Sequence, residues 1–211
     1  KVVFMNDFES CFGIEQYLKD IQYLFIPYYP HIKCKAHPDF TYVLIQNYAN
    51  KYGFKGKIFV VNPKRPKIDS YRCLRKVSDL PISPDAAFIA IPAKEVISTV
   101  RELKAVKCKG IVCYSAGFKE TGKTGKYLES TLIEECGDIP LIGPNCYGFI
   151  NFSDSVALWP FSHKGTRCKK GIALITQSGM LSSDILMATR SLPISFMVSA
   201  GNQAGTKIEH L

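Results

Sequence analysis

The sequence predicts an α/β protein in which a largely parallel sheet is covered on both faces. Three observations carry this. The apolar runs KIFVVN (57–62), AAFIAIP (86–92), IVCYS (111–115), GIALIT (171–176) and ISFMVSAGN (194–202) are continuous rather than alternating, as strands buried on both sides are. Segments of helical period stand between several of them. The runs break off into loops of small residues, such as SAGF, GPNC and TQSG. Such loops place backbone N–H groups at the carboxyl edge of a sheet, where open α/β proteins bind ligands. Three in a row predict a site for a polyanion. The central one is 141–151, LIGPNCYGFIN: a strand stops at Gly143-Pro144, a turn carries Asn145 and Cys146, and a second apolar run follows.

In chain order, 13–25 place Ile14, Leu18, Ile21, Leu24 and Phe25 at helical spacing, ended by Pro27 and Pro30. In 28–38, His31, Cys34 and His37 recur every three residues. The residue types suit zinc, but this spacing does not share one strand face and no fourth ligand is near, so loop residues are the expectation and no metal is assigned. Residues 40–54 read as a helix closed by Gly53. The strand 57–62 ends at Asn62-Pro63. Lys64, Arg65, Lys67, Arg72, Arg75 and Lys76 then crowd together, as a solvated loop or as a clamp for phosphates. The strand 86–92 follows turn residues at 78–85. A helix over 93–107 turns Val96, Val100, Leu103 and Val106 to one face. After the strand 111–115, 126–136 is helical with Leu128, Leu132 and Ile133 inward. The alternation from 62 to 148 describes a Rossmann-like domain. Residues 153–170, with Trp159-Pro160 and His163, read as a linker to a second α/β unit. That unit holds the strands 171–176 and 194–202 and a helix over 180–190.

The 211 residues suffice for one large or two small domains, and 46% hydrophobic with 21% charged residues is ordinary for a globular protein. No apolar run approaches the roughly 20 residues of a membrane span. The N-terminus carries acids and lacks the order of a signal peptide. Residue 1 is not Met, and 207–211 read as the first turn of an unfinished helix, so a fragment of a longer chain is expected. The net charge of +9 calls for an anionic partner. Nucleic acid ranks last, because the aromatics lie in core runs rather than among the basic residues. The eight cysteines form no CxxC pair and read as reduced thiols of the cytoplasm or an organelle matrix.

Six stretches together resemble the NDP-forming acyl-CoA synthetases, the superfamily of the succinyl-CoA synthetase α subunit. They are GFKGKIFVVNPK (53–64), SDLPISPDAAFIAIPA (78–93), YSAGFKETG (114–122), GPNCYGFIN (143–151), LITQSGML (174–181) and VSAGNQA (198–204). The nearest likeness is to ADP-forming acetate–CoA ligases and related protein lysine acetyltransferases. The resemblance implies a CoA-binding Rossmann-like domain over 26–152, after an N-terminal helical segment over 1–25. A linker over 153–170 and the first part of a flavodoxin-like domain over 171–211 would follow.

It also implies an enzyme that, as a whole protein, joins a small carboxylic acid to coenzyme A through an acyl phosphate and a phosphohistidine. ATP or ADP and Mg²⁺ would act through an ATP-grasp domain or subunit outside this sequence, in an oligomer without membrane or nucleic acid. By motif, CoA would touch Pro63 and Lys64, then Ile91, Pro92 and Ala93, then Ser115, Ala116, Gly117 and Phe118, and finally Asn145 and Cys146. Gln177, Ser178 and Gly179, opening a helix, would face the phosphoryl group. No catalytic residue is assigned; the family's phosphohistidine would lie beyond 211, and neither His163 nor His210 matches it. One departure stands out. Where the family has a glycine-rich loop, 32–41 (IKCKAHPDFT) has no glycine. That expects a narrower phosphate site, either lost or rebuilt with Lys33 and Lys35.

Blander roles compete at each position. Ser178 is a natural N-cap, Cys146 a small residue filling a tight turn, Asn145 a lock on its loop, and Glu120 a charged loop residue rather than a base. Two other functions fit the same domains: a CoA-binding regulatory part of a protein lysine acetyltransferase, and a non-enzymatic CoA- or nucleotide-binding paralogue.

Overall fold

Twelve strands and three helices follow the apolar pattern in a computed structural model that describes residues 3–5, 23–27, 53–68, 71–161, 163–188 and 192–211, the first two segments by backbone pairing alone. In chain order the strands are β1 (Val3–Met5), β2 (Tyr23–Pro27), β3 (Lys57–Val61), β4 (Lys67–Ile68), β5 (Tyr71–Leu74) and β6 (Ala86–Ile89). Then come β7 (Ile111–Cys113), β8 (Leu141–Ile142), β9 (Gly148–Asn151), β10 (Val156–Leu158), β11 (Ile172–Thr176) and β12 (Ile194–Ser199). The helices are α1 (Ala93–Ala105), α2 (Lys123–Cys136) and α3 (Gly179–Met187).

The larger sheet runs β4-β5-β3-β2-β6-β7-β8. All of its pairings are parallel except that of the short β4. Counted along the chain, the parallel strands stand third, second, first, fourth, fifth, sixth, the doubly wound order whose switch point lies between β2 and β6. Period-2 alternation builds its two faces. Ala87, Ile89 and Ile91 pack with Val96, Val100 and Leu103 of α1 and Leu132 of α2. Ala86, Phe88 and Ala90 face the other way.

That other face shares one core with the second sheet, ordered β1-β11-β12-β9-β10. Only β11 and β12 run parallel there. Phe88, Val112 and Ile142 of the first sheet join Phe149, Trp159, Leu174 and Met197 in a continuous apolar cluster. Trp159 and Met197 are completely buried. Removing so much aromatic and aliphatic surface from water is what holds the two sheets together.

The α/β class and the buried strands are as expected, but three local expectations are not. The helix expected over 13–25 does not reach 23–25, which are strand β2, the first strand of the doubly wound order. YLFIP is a short continuous apolar run, and such a run fits a buried strand as well as a helix face. The hairpin of β9 and β10 belongs to the second sheet, so the chain changes sheets at 143–147, ahead of the expected linker. Trp159 and His163 are buried there, the imidazole edge-on to Phe152 with centroids 5.3 Å apart. On α2, Ile133 is exposed. The buried face is Gly125, Glu129, Leu132 and Cys136, and its carboxylate hid it from an apolar pattern. The expectations for 13–22, for 28–52, with His31, Cys34, His37, Lys33 and Lys35, and for the glycine-poor stretch 32–41 lie outside the described residues. Among those described, no helix is long and apolar enough to cross a membrane.

Candidate functional site

The carboxyl ends of β6, β7 and β8 are laced together before any ligand is considered. The Ser115 hydroxyl donates to the Ile91 carbonyl at 2.6 Å and accepts from the Ile91 N–H at 3.1 Å. The Asn145 N–H donates to the Ser115 carbonyl at 2.9 Å. Gly143 turns the chain with φ of 99°; a Cβ there would sit 2.5 Å from the Cys113 carbonyl oxygen and 2.8 Å from Cys146 Sγ. Only glycine fits that approach. These turns leave a cavity of about 440 Å³ lined by Ala90, Ile91, Pro92, Tyr114, Ser115, Ala116, Asn145, Cys146 and Tyr147. That size lies within the range of about 300–1,000 Å³ common for ligand sites.

Six of the residues singled out in sequence thus meet in one cavity: Ile91, Pro92, Ser115, Ala116, Asn145 and Cys146. Ala93 opens α1 beside it, close enough that a Cβ on Gly117 would lie 3.0 Å from Ala93 Cβ. Phe118 is completely buried in the core under α1 and α2, so its side chain faces no ligand. The N–H groups of Gly117 and Phe118 are already engaged, donating to Glu120 Oε1 at 2.6 and 3.1 Å. Pro63 and Lys64 do not line the cavity. They sit exposed in the turn after β3, which Asn62 holds by accepting the N–H groups of Lys64 and Arg65 at 2.9 and 3.0 Å. Arg75 reaches across from β5 to the Pro63 carbonyl at 2.7 Å, gathering the basic cluster on that flank.

Gln177, Ser178 and Gly179 form the loop into α3. Ser178 is its N-cap, accepting from the Leu181 N–H at 3.3 Å. The cap leaves first-turn amides without partners inside the helix. This loop and the cavity meet at Tyr147. Tyr147 lines the cavity, and its ring lies against Gly179, where an added Cβ would come within 2.6 Å of Cδ1. Tyr147 is set by a bond from its N–H to Ser199 Oγ at 3.1 Å and by ring contacts to Phe161 and Trp159 at 4.7 and 5.7 Å. Burial and the nearby Asp184 carboxylate push its phenol up, so it stays protonated at neutral pH. Tyr114 and Tyr147 were not singled out in sequence. Both lie inside the matching stretches 114–122 and 143–151, but only the folded chain shows their rings 6.0 Å apart beside the cavity.

Cys146 is no nucleophile. Burial pushes its thiol up to about 12, and Sγ donates to the Cys113 carbonyl at 3.3 Å. Among the described residues no group of three His, Cys, Asp or Glu side chains could hold a metal ion.

A family model described as "CoA binding domain" matches residues 36–151, just over half of the sequence. The chain belongs to this CoA-binding family. The relatives it matches include a CoA synthase and ADP-forming CoA ligases. A trans-feruloyl-CoA synthase from an unknown prokaryotic organism is 37% identical over 169 residues, covering 75% of this chain and 24% of that protein. An ADP-forming acetate–CoA ligase of Archaeoglobus fulgidus is 36% identical over 159 residues, covering 74% of this chain and 23% of that protein. In structure, the chain superposes on PH0766 of Pyrococcus horikoshii OT3 with a TM-score of 0.78 and 28% identity, over 92% of this chain and 44% of that one. The chain therefore spans about a quarter of the length of the two curated relatives.

Proposed function

We propose that the chain is the CoA-binding portion of an NDP-forming acid–CoA ligase. The whole protein would make acyl-CoA through acyl-phosphate and phosphohistidine intermediates. An ATP-grasp domain or subunit would handle ATP or ADP with Mg²⁺. One observation carries the reading: the cavity at the ends of β6, β7 and β8 and the capped start of α3 both border on Tyr147. A thiol arm in the cavity and a phosphoryl group at the α3 amides would then be neighbours, as attack of CoA on an acyl phosphate requires.

The fold supplies the rest of the geometry. A ligand crossing a doubly wound sheet at its switch point lies with one end over β3 and the other over the later strands. The basic flank after β3 suits the phosphate-bearing end of CoA, with Lys64 as the leading partner and Arg65 and Arg75 beside it. The half-apolar cavity walled by Ile91, Pro92, Tyr114 and Tyr147 suits the uncharged arm that ends in the thiol. Asn145, an exposed residue of the cavity lining, can orient an amide of that arm. At α3, oriented N–H groups and the helix dipole favour a phosphoryl group in place of a fixed cation.

The test uses the whole protein with CoA, ATP, Mg²⁺ and a panel of aliphatic and aromatic acids. Acyl-CoA and ADP should appear in equal amounts with at least one acid. CoA binding without acyl-CoA formation from any acid would contradict ligase activity and favour the regulatory role of the same domains.

A further inference from the structure

Every polar group of one buried residue outside the cavity is committed to holding the cavity's loops. Asn202, 7% exposed, lies in the turn after β12. Its Nδ2 donates to Glu120 Oε2 at 2.5 Å and to Glu129 Oε2 at 2.9 Å. Its Oδ1 accepts from Asn145 Nδ2 at 3.5 Å, its N–H donates to the Pro144 carbonyl at 2.8 Å, and its carbonyl accepts from Lys119 Nζ. Lys119 Nζ also lies 3.3 Å from Glu129 Oε1, pairing that carboxylate with a cation. The same turn grips the α3 loop: Gly201 N–H donates to the Gln177 carbonyl, and Gln177 Nε2 to the Gly201 carbonyl, both at 3.2 Å.

We infer that Asn202 is a positioning residue for the CoA-binding site: acting through Glu120, it fixes the 115–118 loop and ties it to the loop that opens α3. The chain of contacts is short. Asn202 orients the Glu120 carboxylate, whose other oxygen collects the N–H groups of Gly117 and Phe118. Gly117 has φ of 110°, a conformation that needs outside support because glycine alone holds it no better than many others. Two carboxylates converge on one amide nitrogen, and an amide has two hydrogens to give. Aspartate would offer none and would add a third negative charge. The consequence for CoA affinity rests on the proposed function; the consequence for the loop does not.

The test is a mutant cycle of N202D, E120Q and the double variant, read by hydrogen exchange at the amides of Gly117 and Phe118 and by CoA titration. In E120Q the new amide faces the amide of Asn202, and in N202D the new carboxylate faces those of Glu120 and Glu129. Each single variant should speed both exchanges and weaken CoA binding by about tenfold, the worth of one charge-assisted hydrogen bond. In the double variant the glutamine keeps an oxygen for Gly117 and Phe118 and turns its NH₂ to the aspartate. Protection and affinity should then recover in part, since Glu129 still faces the aspartate, a non-additivity that two independent structural losses would not produce. Unchanged exchange in E120Q, or simply additive losses in the double variant, would overturn the assignment. If N202D fails to fold, E120Q decides the matter, since Glu120 is on the surface. If the wild-type chain binds no CoA, the functional proposal falls while the exchange cycle still judges the positioning role.

Discussion

Glu120 shows how much a single side chain can hide. In sequence it is a charged residue in a polar loop; folded, its two oxygens join a backbone turn to an element of the other sheet. Burial pushes its carboxyl up. The bonds from Asn202 and from the N–H groups of Gly117, Glu120 and Phe118 outweigh that, and its titration is held below the usual 4.5. A carboxyl depressed on folding stabilises above its unfolded value, and the contribution is lost as pH falls through the folded one. The melting temperature of the wild type should therefore exceed that of E120Q from neutral pH down to about pH 5, and the gap should narrow as the pH falls further, through the lowered titration of Glu120. A gap that stays constant to lower pH would contradict the assignment. The neighbouring charges, Lys119 and Glu129, are present in both proteins and cancel to first order.

At the scale of elements, the turn 143–147 is the joint of the molecule. It ends β8 in one sheet and starts β9 in the other, and the β12 turn clamps it through Asn202 N–H to Pro144 and Ala204 N–H to Gly143, at 2.8 and 2.9 Å. Gly143→Ala combines a positive φ with a clash against the Cys113 carbonyl. It should cost about 3 kcal/mol, the range of strained backbone positions, read as a lower midpoint in urea. A loss below about 0.5 kcal/mol, typical of a tolerant surface site, would mean the turn can relax.

The element pattern also marks where sequence reading works and where it stops. Strands β3, β6, β7, β11 and β12 were legible because both of their faces are buried and the apolar run has no gaps. The cavity residues at 91–92, 115–116 and 145–146 were legible through the resemblance to the family's motifs, and the latter two loops also because small residues after such runs mark the ligand edge. β2 was missed because five apolar residues carry no period of their own. The inner face of α2 was misplaced because Glu129 sits on it, satisfied by Lys119 and Asn202, which lie in other loops. The same reason hid the Asn202 network and the Tyr114–Tyr147 pair: their partners are up to 83 residues away. Local pattern records what a residue is, not which distant group completes it.

For the whole molecule, two sheets of different topology share one core, and their ligand edges are brought side by side. The doubly wound sheet offers a basic flank after β3 and a cavity after β6, β7 and β8. The mixed sheet offers the start of α3 against the same Tyr147 ring. A CoA-shaped ligand is proposed to span this edge, phosphates on the basic flank and thiol arm in the cavity. Calorimetry of the chain with CoA and dephospho-CoA, at low and moderate salt, tests it most directly. CoA should bind with a Kd on the order of micromolar, weaker for dephospho-CoA and weakened by salt, as a cation–phosphate contact requires. A folded chain that binds neither ligand, or binds both equally with no response to salt, would contradict it.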